Sequence, residues 1–194
     1  MVAKSLALAG LVVLVGLSAS AHITKEKPGV AAGGPLSPRE ALASFRVPKG
    51  FKVELAASEP DIVDPVAMAF DENGRMFVVE MRAYPNDGVG TGVVTSGRIV
   101  MLEDKNGDGF FEKTSIYADN LRLPTSVMPY KGGLLVCNPP EIIYLEDTKG
   151  TGKADKKRVL YTGFGLSNIQ QMVNGLQWGL DNGYTPAPAA MAAR

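Results

Sequence analysis

The 194 residues carry 20 Lys plus Arg against 20 Asp plus Glu, so the formal charge is zero, and 45% of the chain is hydrophobic. Those totals fit a globular protein of about one domain, with enough apolar residues for a core. With no basic excess and no Lys/Arg run, nucleic acid is not an expected partner.

The N-terminus has the grammar of an export signal. Lys4 precedes an apolar run from Leu6 to Leu17, and Ala19, Ser20 and Ala21 give a small-residue cleavage site. The run is shorter than a spanning helix needs, so a cleaved signal peptide over 1–21 is preferred to a membrane anchor. No Cys follows it to take a lipid, and there is no twin-Arg pair. The expected location is therefore the periplasm or cell surface. Residues 22–36, small and polar with several breakers, read as a linker.

A helix start follows in "SPREAL". Ser37 is placed to cap, Pro38 to open the first turn and Glu40 to reach back three residues later, so a two-turn helix ending near Phe45 is predicted. Beyond it the hydrophobic period changes to two. "FKVELAA", "VAMAF", "RMFVVEM", "GRIVMLE", "TSIYA", "GGLLVCN", "EIIYLE" and "RVLYTG" are short runs rich in β-branched and aromatic residues, punctuated by Gly, Asn, Asp and Pro. The fold class is all-β.

The strands repeat. "LED" at Leu102 returns at Leu145 and "YAD" at Tyr117 is answered by "YTG" at Tyr161, offsets of 43 and 44 residues; "PVAMAFDENGRMFVVE" from Pro65 aligns with "PTSVMPYKGGLLVCN" from Pro124, an offset of 59. The offsets of 59 and 43 differ by 16 residues, the length of the segment Arg82–Gly97, so the first unit equals the second plus one inserted loop. Four strands in about 40 to 50 residues is the signature of a β-propeller blade. A third unit begins at "NGLQWGLDNG", where Trp178 and Gly183 stand opposite Met128 and Gly133. After Gly183 the prolines of "YTPAPAAMAAR" interrupt the strand pattern. The reading is an incomplete β-propeller over 37–183, two four-stranded blades and the start of a third, followed by a disordered tail over 184–194.

Several residue groups bear on chemistry. In "EDKNGDGFFEK", Asp104, Asn106 and Asp108 place side-chain oxygens at alternating positions, with Gly109 at the turn, Phe110 offering a carbonyl and Glu112 a ninth-position ligand; this is close to a calcium loop, although Ser115 replaces its closing Glu. The competing reading is a plain turn, since Asn-Gly and Asp-Gly both accept φ > 0. The second copy keeps Asp147 and Asp155 but has Lys149 and Thr151 where ligands would stand. Arg82, Tyr84 and Asp87 belong to the loop that only the first unit has. Arg82 is a candidate partner for an anionic cofactor, or else a solvated or inter-blade Arg. Asn168, Gln170, Gln171 and Asn174 suit hydrogen bonds to a sugar or cofactor, or to the backbone of their own loop.

For acid/base work the chain is poor. His22, its one histidine, lies in the linker, which excludes a Ser/His/Asp triad in practice and leaves a copper site without a second imidazole. Asp61 and Asp64 are carboxylates three apart, with loop capping as their expected duty. Cys137 is the single cysteine, predicted buried and inert in an apolar strand; there is no CxxCH haem site, and no glycine-rich phosphate loop precedes a helix.

Taken together, "LSPREALASFRVPKGFKVELAASEPDIVDPVAMAFDENGRMFVVEMRAYP", "GRIVMLEDKNGDGFFEKTSIYADNL", "LPTSVMPYKGGLLVCNPPEIIYLED" and "FGLSNIQQMVNGLQWGLDN" resemble the N-terminal part of the membrane-bound dehydrogenase family of planctomycetes and verrucomicrobia. The resemblance runs from about Leu36 to Asn182. That family is similar to the soluble quinoprotein glucose/sorbosone dehydrogenases. The resemblance implies a six-bladed propeller at the head of a longer exported protein, a sugar or alcohol substrate, and pyrroloquinoline quinone by analogy. Many relatives continue into helical repeats and a cytochrome c domain. This sequence departs from the family after "GLDN", which reads as a fragment. A non-catalytic binding or interaction fragment, or an inactive truncated product, is the alternative.

Overall fold

The structure is a computed structural model that describes residues 34–82, 84, 95–166, 168–181 and 183–187. The proposed signal peptide, most of the linker, His22 and Asp87 lie outside the described residues. Of the eight strands foreseen from the period-two runs, seven are present. Among the described residues, one short α-helix and three antiparallel sheets are present, and the sheets do not close into a barrel.

Helix α1 spans Pro38–Ser44 and begins as its sequence dictates. The Ser37 side chain accepts the Glu40 N–H at 3.3 Å, and Glu40 Oε2 accepts the Ser37 N–H at 2.9 Å, the two halves of a capping box.

The first sheet runs β1 (Pro65–Phe70), β2 (Met76–Glu80), β3 (Gly97–Glu103) and β4 (Lys113–Leu121), each paired with its sequence neighbour. The second repeats that order with β5 (Ser126–Tyr130), β6 (Gly133–Asn138), β7 (Glu141–Glu146) and β8 (Lys156–Thr162). The third has β9 (Asn174–Trp178) and β10 (Tyr184–Ala187). Between β5 and β6 the turn is Lys131–Gly132, with φ of 48° and 79°, the doubly positive pattern that suits a tight hairpin.

Burial explains the strand sequences. All five residues of β2 and all six of β6 are buried, because the first and second sheets are covered on both faces at their centres; these strands therefore read as continuous apolar runs rather than alternations. Between the first and second sheets, Phe77, Val79, Ile99, Met101 and Tyr117 meet Val127, Leu134, Val136, Ile143 and Leu145. Between the second and third, Leu135, Cys137, Ile142 and Tyr144 meet Val173 and Leu176. Tyr130 fastens the third sheet through Trp178 and Tyr184, at ring separations of 5.7 and 5.5 Å.

Three sequence expectations need correction. The tail does not begin at Gly183: Tyr184–Ala187 pairs with β9, and Pro186 fits because it falls in a break of register between Thr185 and Ala187 on an edge strand. Trp178 does not match Met128. Leu176 and Trp178 both face the second sheet, as Val127 and Pro129 face the first, so Trp178 takes the place of Pro129; a slip of one residue reverses the face. Finally, "FKVELAA", Phe51–Ala57, is not a strand. The segment has the alternation of one but, among the described residues, no neighbour to pair with.

Candidate functional site

The first strands of the three sheets lie side by side, β1 against β5 and β5 against β9. Where they begin, an open cavity of about 390 Å³ is lined by Val66 and Ala67, Thr125 and Ser126, Asn174 and Gly175, with Met81 beside them. These are the same two positions taken three times, because Met68, Val127 and Leu176 follow them in equivalent places. The wall is thus built by repetition.

Hydrogen bonds tie the wall together across the sheets. The Leu176 N–H donates to Ser126 Oγ at 3.2 Å, and Thr125 Oγ1 donates to the Val173 carbonyl. Behind it a small apolar cluster of Met81, Leu123 and Met172, with Leu166 packed on it, joins the segments that leave β2, enter β5 and enter β9. The structure therefore gathers at one end the Arg82 segment and the amide-rich segment, two of the regions singled out from sequence.

Arg82 itself is engaged. Its Nε donates to Glu80 Oε2 at 2.6 Å, and Glu80, with no exposed surface, also accepts the Val63 N–H through Oε1 at 2.8 Å. The hydrogen bond that Arg82 donates to Glu80 raises the Arg82 pKa and keeps the guanidinium charged. The second sheet uses Asn138 in the same way. Its Oδ1 accepts the N–H groups of Arg122 at 2.9 Å and Leu123 at 3.3 Å. A polar side chain at the end of β2 and of β6 thus holds the segment that enters the first strand of the same sheet. Sequence reasoning passed over Glu80; the available signal was a lone acid at the end of an apolar run, on the same rung as Asn138.

The amides divide. Asn174 lines the cavity and is exposed. Asn168 is occupied locally, its Oδ1 accepting the Gln170 N–H at 2.9 Å to cap a 3₁₀ turn over Ile169–Gln171, while Gln170 and Gln171 are exposed. Tyr84 is exposed, its N–H donating to the Met81 carbonyl at 3.1 Å. Asp64 has φ of 49° and its carbonyl accepts the Met81 N–H at 3.1 Å; the Asp61 N–H closes a turn onto the Ser58 carbonyl at 3.0 Å. Both serve the loop that enters β1. Cys137 is buried, and that burial pushes its thiol up to about 12.

The acidic loop lies elsewhere. In a four-stranded antiparallel sheet the β2–β3 and β3–β4 connections leave from opposite ends, so Asp104, Asn106, Asp108 and Glu112 are at the far end of the sheet from Arg82. Their oxygens point at backbone. Asp104 accepts the N–H groups of Gly107 at 2.6 Å and Gly109 at 2.9 Å; Asn106 accepts that of Asp108 at 2.9 Å, Asp108 that of Phe110 at 2.8 Å, and Glu112 that of Lys105 at 3.0 Å. The Gly109 bond leads in holding the Asp104 carboxyl below its usual range. The second loop repeats the plan 43 residues on: Asp147 accepts from Thr151 at 3.1 Å and Gly152 at 2.6 Å, and Asp155 from Thr148 at 2.8 Å. Among the described residues, no three His, Cys, Asp or Glu side chains gather as a metal-binding group.

A family model described as a domain of unknown function, DUF7133, matches residues 37–189. The chain belongs to the DUF7133 family. The matched span begins at the Ser37 cap and covers all three sheets, so the DUF7133 domain includes the repeated wall and both acidic loops. No curated protein matches the chain.

Proposed function

We propose that this DUF7133 domain is one arc of a β-propeller, the N-terminal part of an exported sugar or alcohol oxidoreductase of the quinoprotein kind, and that the arc supplies the neutral wall of a ligand cavity. The observation that carries the reading is the alignment of β1, β5 and β9, each offering the same two residues to one cavity. Sheets that repeat with their first strands inward generate an axial cavity when the ring is complete. Thr125, Ser126 and Asn174 suit a hydroxyl-rich, uncharged ligand, with Val66, Met81 and Ala67 covering its apolar edges.

Two expected cofactors, a quinone implied by resemblance and calcium read from the loop pattern, fit this arc poorly. A tricarboxylate quinone calls for cations at the cavity, whereas Arg82 is paired with Glu80 and the lining residues are neutral. Calcium at Asp104, Asn106, Asp108 and Glu112 would have to displace backbone N–H groups from the oxygens it needs, so we favour the turn.

A second reading has its own support. It is that this polypeptide alone is a binding unit without turnover, and what supports it is the neutral lining of Val66, Thr125, Ser126 and Asn174. Isothermal titration with aldoses and polyols, alongside dye reduction after loading with quinone and calcium, separates the readings. Binding without turnover supports the arc as a wall. Turnover by the isolated chain refutes the second reading, and neither binding nor turnover with any aldose or alcohol refutes the first.

A further inference from the structure

We infer that Thr125 and Ser126 together read one hydroxyl group of the ligand, so that the cavity takes an alcohol and rejects the carbonyl compound its oxidation would give. This deepens the reading above and rests on it for the class of ligand.

Among the described residues, three polar side chains are buried: Glu80, Asn138 and Ser126. Glu80 spends its oxygens on Val63 and Arg82, and Asn138 spends Oδ1 on Arg122 and Leu123. Ser126, 6% exposed, is only half engaged. Its Oγ accepts the Leu176 N–H at 3.2 Å, while its own proton has no acceptor among the described residues. A buried hydroxyl proton without an acceptor carries a desolvation cost, so a ligand oxygen that takes it is favoured.

Thr125 has the opposite need. A hydroxyl has one proton, and Thr125 Oγ1 gives its own to the Val173 carbonyl, so what it offers the cavity is lone pairs. Neighbouring residues of one wall thus present an oxygen that can only accept and a hydroxyl whose unmet need is to donate. A ligand hydroxyl answers both at once. A carbonyl oxygen accepts from Ser126 but leaves Thr125 unanswered, an ammonium does the reverse, and a carboxylate adds a charge that no lining residue balances. The station is particular to the second sheet. Val66 and Ala67 on the first sheet and Asn174 and Gly175 on the third carry no hydroxyl, so one ligand hydroxyl is fixed at β5, leaving the exposed amide of Asn174 for a second.

The test is isothermal titration of the full chain with D-glucose, D-galactose and D-xylose and with the monoketo and monodeoxy derivatives of each. At one ring position the keto derivative should bind about tenfold more weakly than the hydroxyl, for the bond to Thr125 that it cannot donate, and the deoxy derivative about tenfold more weakly again, for the bond from Ser126 that it cannot accept. Thr125→Val should erase the preference for hydroxyl over keto at that position and keep the preference for keto over deoxy. Ser126→Ala should do the reverse. A role confined to tying the sheets would weaken every derivative alike. Trp178, the single tryptophan, packs on Tyr130 across the same tie, so unchanged emission verifies that the third sheet stays docked in each variant, and Thr125→Ser and Ser126→Thr should restore the wild-type ranking. Keto derivatives that bind the wild-type chain as well as the hydroxyl at every position, preferences that survive both variants, or no binding by these three sugars would each overturn the inference. Binding by no aldose or alcohol of any kind would overturn the reading beneath it as well.

Discussion

Replacing Glu80 by Ala and by Gln separates its two duties. Alanine leaves the Val63 N–H without its acceptor, which costs about 1–3 kcal/mol for a group shielded from water. It also orphans Arg82. A fully buried charge left alone costs about 3–5 kcal/mol, but the Arg82 side chain is 29% exposed and can rehydrate, so about 1 kcal/mol is the fitting share. The expected loss for Glu80→Ala is therefore about 3 kcal/mol. Glutamine keeps a carbonyl for Val63 and gives up only the charge, for about 1 kcal/mol. Asn138, an amide in the same role, makes that tolerance reasonable. Urea unfolding followed by circular dichroism reads the difference: at a slope of about 2 kcal/mol/M, the two midpoints should sit about 1 M apart. Equal midpoints for the two variants, or no loss for Glu80→Ala, would refute the account of Glu80 as the holder of the β1 entry segment.

Other outcomes follow from the loops and the close approaches. The folded pKa values of Asp104, Asp147 and Asp155 lie below their usual range, so the stability they add is fully present above about pH 4, the unfolded carboxylate value, and is lost as pH falls through the lower folded values. Melting temperature against pH should drop in that acid window, and the drop should shrink in the Asp104→Asn/Asp147→Asn/Asp155→Asn variant. Adding calcium or a chelator at neutral pH should leave the melting temperature unchanged, while Asp104→Ala should lower it in either condition; a calcium-dependent rise lost in Asp104→Ala would restore the metal reading. At Gly133 a Cβ would lie 2.3 Å from the Leu145 carbonyl oxygen, inside the β6–β7 ladder, so Gly133→Ala should cost about 1–3 kcal/mol in the same urea assay.

Much of the architecture was legible because its causes are local. The α1 cap is written in Ser37, Pro38 and Glu40, and the strands in short β-branched runs cut by Gly, Asn and Pro. The 43-residue spacing of the two acidic loops survives as a matched set of side-chain to backbone hydrogen bonds. What was not legible depends on partners distant in sequence or absent from it. Phe51–Ala57 alternates like a strand, yet strand formation needs a neighbour that the described chain does not supply. The Trp178 slip arose because a one-residue shift leaves a short apolar pattern almost unchanged while exchanging its faces. Arg82 was singled out for its charge, but the carboxylate two residues before it determines what that charge does. The cavity was invisible to motif reading, since its lining residues are ordinary and only their stacking through three repeats brings them together.

That stacking separates scaffold from surface. At one backbone station the three modules carry Val66, Thr125 and Asn174, a methyl-bearing, a hydroxyl and an amide group, while the architecture is maintained by ladder bonds and by Glu80 and Asn138. Duplicated modules can therefore drift in chemical character at the rim, one station at a time, with their frame intact. A lineage built on this plan can acquire new selectivity by editing a few rim letters, without inventing a new fold.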